Sequence, residues 1–198
     1  MKLIKFLLLA LSLIIYFTGC HRELEKNKSE IFSLESLLDS QIKLLSINKL
    51  QLKKETHLGD NIENLIITPD SSAWAKELSI FRTADINKPG LKDFYDKDVV
   101  EIGNIEKEEY FLLDSNQSET IYLRIHKDNK SGIISSIEAL QHIKNPIYQS
   151  QRKLVLNFKQ NDDETIRLDS FAIKGYQKMI LQDSVNYFTG GKILTNNF

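Results

Sequence analysis

The sequence predicts an α+β protein, with one long and one shorter N-terminal helix packed on a C-terminal antiparallel β-sheet, a meander of about six or seven strands. Three observations carry this expectation. Apolar residues recur at steps of three and four in two stretches, Ile31 to Leu45 and Trp74 to Phe81, the spacing of one helix face in each. From Val99 onward the period changes to two, as where Ile121, Leu123 and Ile125 alternate with Tyr122, Arg124 and His126. The later runs are joined by short polar segments, which makes successive strands antiparallel neighbours.

The elements follow in chain order. Lys2 and Lys5 precede an apolar run from Phe6 to Phe17 that only Ser12 interrupts, and Thr18, Gly19 and the single cysteine, Cys20, come next. A positive end, a short apolar core and small residues before a cut site describe a secretory signal peptide over residues 1–19. The run is too short for a comfortable bilayer anchor, which needs about twenty apolar residues. Residues 20–29 are polar and mixed in charge, and they are expected to act as a tether. Residues 30–198 are expected to form a single domain, with a helical part over 30–90 and a sheet part over 98–195.

The segment Phe17-Thr18-Gly19-Cys20 resembles the lipobox of bacterial lipoproteins. That resemblance implies cleavage before Cys20, a diacylglyceryl group on its sulfur and usually an acyl chain, such as palmitate, on the new amino group. It also implies a lipid-anchored place in the bacterial cell envelope. His21 rather than Asp after the cysteine favours the outer membrane, facing the periplasm. The membrane is then a partner through the lipidated N-terminus, and two or three acyl chains give stable attachment where one would not. A lone cysteine also excludes an internal disulfide.

The first helix is placed over 30–56, with Ile31, Leu34, Leu38, Ile42 and Leu45 on one face and Leu37, Leu44 and Leu52 widening it. Asn27 and Glu30 offer its cap. Residues 57–66 read as a connector. A second helix starts at Thr68 and Pro69, carries Trp74, Leu78 and Phe81 on its apolar face, and stops near Ala84, before the breakers up to Gly90. Strands are placed at 110–113, 121–126, 133–140, 154–159, 166–168, 171–181 and 185–188. Trp74, Leu78 and Phe81 are expected to bury against Leu154, Leu156 or Phe158.

Charge and motifs narrow the function classes. The chain has 26 basic and 27 acidic residues. That near balance, without a basic stripe, argues against a nucleic-acid binder. His21, His57, His126 and His142 never fall three or four apart, and no second cysteine joins them, so no metal ligands are assigned. Asp114 to Ser118 begins like a calcium loop but has Glu119 where the glycine belongs and Ile125 where the closing glutamate belongs. Ser46-x-x-Lys49, Ser150-x-x-Lys153, Ser184-x-Asn186 and Lys130-Ser131-Gly132 echo penicillin-recognising enzymes, but in the wrong chain order and on too small a domain. No catalytic residue and no cofactor is assigned, and Cys20 is the one modified site. The expectation is a non-enzymatic scaffold or interaction module of the envelope. The alternative is a carrier of acyl chains or another hydrophobic ligand in an open-sheet cleft.

Overall fold

A single antiparallel sheet dominates the computed structural model, which describes residues 31–161 and 165–194. Helix α1 spans Leu34–Ile47, and strands β1 (Gln51–Leu58) and β2 (Asn61–Ile67) follow it. Two short helices come next, α2 (Ser71–Glu77) and α3 (Ser79–Arg82), and then a 3-10 turn at Lys92–Phe94. Seven further strands complete the chain: β3 (Tyr95–Ile102), β4 (Ile105–Leu112), β5 (Thr120–Asp128), β6 (Ile134–Lys144), β7 (Tyr148–Gln160), β8 (Ile166–Met179) and β9 (Val185–Leu194). The sheet order is β2-β1-β9-β8-β7-β6-β5-β4-β3.

This corrects the expected fold class, an α+β meander of six or seven strands under a long helix. The sheet has nine strands, and its first two come from the part of the sequence assigned to helix and connector. The first helix has 14 residues, about 21 Å at 1.5 Å per residue. It begins at the Ser33 cap, whose hydroxyl accepts from Ser36 N–H at 3.2 Å. Asn27 and Glu30 lie outside the described residues. The helix ends where Lys49 takes a left-handed φ of 48° and Leu50 N–H returns to the Leu45 carbonyl at 3.1 Å, a closing turn that satisfies otherwise orphaned carbonyls. Leu52 therefore continues the stripe from a strand.

The supposed connector is half of a hairpin. Leu58 pairs with Asn61, so only Gly59 and Asp60 form the turn, and Gly59 supplies the positive φ of 56° that such a turn requires. The second predicted helix is also divided. Asp70, not Thr68, is its cap, accepting from Ala73 N–H at 2.8 Å. At Leu78 the backbone leaves helical geometry, which separates α2 from α3.

The helices pack on one face of the sheet. In an antiparallel sheet, paired residues point to the same side. One buried rung runs Phe171, Leu156, Ile137, Ile125 and ends on Glu108, and the next runs Ile173, Leu154, Ala139, Leu123 and Tyr110. Leu34, Leu38, Ile42 and Leu45 of α1 join Trp74, Leu78 and Phe81 in this core, all nearly inaccessible to solvent. Phe81 meets Phe171 edge to face, with centroids 5.8 Å apart. Gly191 makes room there, because a Cβ at that position would overlap the Phe171 ring.

Two buried polar groups fix how α1 sits. Asp85 accepts from the Glu35 N–H at 2.8 Å, placing a carboxylate at the positive end of the helix, and holds Asn87 N–H at 2.9 Å. Gln41 accepts from Leu168 N–H at 2.7 Å and donates to the Ile166 carbonyl at 3.1 Å. It locks the helix to β8 beside the register shift at Asn157/Phe158. On the outer side of the helices, Arg82 reaches Glu35 at 3.3 Å and also bonds Asp39.

Candidate functional site

Cys20, the one site residue predicted from sequence, lies outside the described residues. Among those that are described, the ionisable groups, the clefts and the exposed apolar surfaces can each be tested for chemistry.

One buried acidic cluster centres on Glu108, at the β4 end of the core rung. Its carboxylate pairs with Lys127 at 2.5 Å and Lys97 at 3.2 Å, and Tyr110 Oη–H donates to it at 3.3 Å. Burial works to raise its pKa. Lys127 first and Lys97 second outweigh that effect and hold the carboxyl below its ordinary range. On the opposite face of β4, Glu109 is lowered chiefly by its hydrogen bond from Arg124 at 2.9 Å, and Lys107 adds to this. Arg124 in turn lies over the Tyr122 ring, 3.8 Å from its centroid. A general acid or base works best with a pKa near neutrality. Glu108 and Glu109 are driven away from it, as structural ion pairs are. His57 contacts Phe188 and Glu55 on the outer face. Among the described residues no three His, Cys, Asp or Glu side chains converge to hold a metal ion.

Two clefts flank the helices. One of about 430 Å³ is lined by Asp39, Ile42, Lys43, Ser71 and Arg82, and another of about 240 Å³ by Lys54, Glu77, Ile80, Phe171 and Thr189. Both are open to solvent and rimmed by charge. Neither resembles the concave, mostly apolar pocket of a ligand site. In the second, Lys54 pairs with Glu77 at 2.7 Å.

Exposed apolar side chains gather elsewhere, in three places among the described residues, and the β3–β4 hairpin, with Val99, Val100, Ile102 and Ile105, is one of them. At one end of the sheet the β6–β7 and β8–β9 turns lie together, joined by Ile180 N–H donating to the Ile147 carbonyl at 2.9 Å. Ile147, Met179, Ile180 and Leu181 all face solvent there, Leu181 with 99% of its surface exposed and a left-handed φ of 61°. A further place is strand β2, an edge of the sheet whose Ile62 and Ile66 are 61% and 59% exposed. Reading 57–66 as a connector missed this strand. Its signal was the two-residue Gly59-Asp60 turn.

Comparison with protein-family models, with curated proteins and with solved structures finds no match to this chain. Among the described residues no helix is long and apolar enough to cross a membrane.

Proposed function

We propose that this chain is a lipid-anchored, non-enzymatic interaction module of the bacterial cell envelope, held to the membrane through Cys20. The observation that carries the reading is where the apolar surface lies. The stripe Leu34, Leu38, Ile42 and Leu45 is buried by the sheet and by α2 and α3, so that stripe presents no apolar face to an acyl chain. The uncovered apolar residues stand instead at a strand edge and on turn tips, Ile62, Ile66, Ile147 and Leu181 among them. Contiguous exposed apolar patches mark contact surfaces for proteins or membranes. The charge clusters around Glu108 and Glu109 support the non-enzymatic part, because each carboxylate is already satisfied by two cations.

The anchor is tested by labelling cells with radioactive palmitate. The wild-type chain takes up label, and Cys20→Ser does not. The module reading is tested against the carrier by titrating the purified protein with a fluorescent fatty acid beside a known carrier. No saturable binding is expected. Saturable micromolar binding would make the chain a carrier and end the module reading.

A further inference from the structure

The β2 edge points to a specific partner, a second copy of this chain. The free peptide groups of β2 identify that partner. Leu58 and Asn61 flank a two-residue turn, and in such a hairpin the flanking pair exchanges both backbone hydrogen bonds. Asn61, Glu63, Leu65 and Ile67 therefore turn their N–H and C=O toward β1. The Gly59 N–H fixes the same alternation independently, because it donates to the Asn186 carbonyl on the β9 side at 3.3 Å. Ile62, Asn64 and Ile66 are left with their peptide groups turned outward along the edge.

Those three positions are symmetric about Asn64. When a second β2 is laid antiparallel about a two-fold axis at Asn64, Asn64 faces Asn64, Ile62 faces Ile66 and Glu63 faces Leu65. Every outward N–H then meets an outward C=O. The apolar Ile62–Ile66 pairs form on the outer face, and no two like charges meet. Shifting the register by two residues keeps the hydrogen-bond alternation but leaves outward groups unpaired, so one register is preferred.

The opposite edge lacks this property. β3 joins β4 through the two-residue turn between Ile102 and Ile105, which turns Tyr95, Lys97, Val99 and Glu101 outward. Full self-pairing there sets Asp98 directly against Asp98, and like charges facing each other across a strand pair are destabilising. Charge along an edge strand is a common guard against unwanted pairing. β3 carries it in Asp96, Lys97, Asp98 and Glu101, whereas Glu63 is the only charged residue of β2.

We propose that two copies of the chain associate through β2, extending the sheet across a two-fold axis at Asn64. This deepens the interaction-module reading by naming its partner, and fatty-acid binding, which decides that reading, is a separate measurement. The test is oxidative cross-linking of the full chain carrying Cys20→Ala, so that an introduced cysteine is the only thiol.

Facing residues of a hydrogen-bonded pair lie about 5.5 Å apart at Cα, within the roughly 4.4–6.8 Å that a disulfide spans. Asn64→Cys should therefore link to itself. Ile62→Cys alone and Ile66→Cys alone should not, since each sits about 15 Å from its own copy, four residues along at roughly 3.4 Å per residue and about 5.5 Å across. An equal mixture of those two variants should link. The dimer yield of Asn64→Cys should exceed that of either single isoleucine variant on the order of tenfold, as the distance limits require. Asn64→Asp sets two carboxylates face to face and should shift the chain toward monomer in sedimentation with its circular dichroism unchanged. No link from Asn64→Cys, or equal links from all three positions, would overturn the proposal. So would Asn64→Cys linking to Val99→Cys instead of to itself, because β2 would then pair with β3 in an open-ended chain of copies.

Discussion

Replacing Gln41 with leucine tests the claim that one buried amide locks α1 to the sheet. The residue is 2% exposed, and both of its bonds cross to β8, at 2.7 Å from Leu168 N–H and 3.1 Å to the Ile166 carbonyl. Leucine keeps most of the volume and removes both partners. The Leu168 N–H is then buried without an acceptor, at a cost of about 1–3 kcal/mol. The Ile166 carbonyl is only half-buried and can recover water, so its loss adds about 0.5–1.5 kcal/mol. Together these give about 1.5–4.5 kcal/mol. Urea unfolding of the wild-type chain and Gln41→Leu measures this as a lower midpoint with unchanged slope. Each kcal/mol should also lower Tm by roughly 2–4 °C in a domain of this size. Ser40→Ala, one position away on the exposed face, should stay within about 0.5 kcal/mol of wild type. If Gln41→Leu were as stable as Ser40→Ala, the lock would not exist and the helix would be held by its apolar face alone.

Two further tests address the core and the ion pairs. Trp74 is fully buried and its Nε1–H has no hydrogen-bond partner. Trp74→Ala should cost about 3–5 kcal/mol, while Trp74→Phe should cost clearly less, because it also removes a donor whose burial costs about 1–3 kcal/mol; equal losses in thermal melts would contradict this. Glu108, Glu109 and Asp169 all have lowered pKa values in the folded chain. Their contribution is complete above the unfolded values of about 4.3 for Glu and 3.9 for Asp, and it is lost as pH falls through the lower folded values. Tm should drop in that acid window, less steeply for Glu108→Gln, and an unchanged slope in that variant would remove Glu108 from the account.

Those parts of the fold that bury one face strongly were legible in the sequence. Leu34, Leu38, Ile42 and Leu45 lie on one buried face of α1, and Trp74, Leu78 and Phe81 are buried as anticipated. The alternation in β5 and β7 was equally plain, because one side of each is buried. The helix end was not legible. Leu52 falls seven residues after Leu45 and prolongs the stripe, while the stop is made by a lysine, Lys49, in a left-handed conformation that lysine does not advertise. β1 owes its strand state to β9, a partner at the other end of the chain, and no local window contains that information. β2 was harder still. Six of its seven residues are exposed, so neither face is selected for apolarity and no period-two pattern is written. The same lack of alternation hid Ile62, Asn64 and Ile66 from any search for a site.

The pairing of β1 with β9 also dictates an order of events. Leu52 sits beside Ile193, so the first hairpin gains its inner neighbour only after nearly the whole chain is available. During synthesis at about 5–20 residues per second, that wait lasts on the order of ten seconds. β3 to β9 are joined in sequence to adjacent partners and can zip up locally, whereas joining the hairpin to them closes the largest loop in the molecule. Contacts so distant in sequence slow folding, because the loop's entropy is lost before the pairing repays it. The hairpin is therefore the last part to dock, and until then β1 is a second unpaired edge. A chain released early, or truncated before Val185, leaves β1 and β8 each with an unpaired edge, as well as β2.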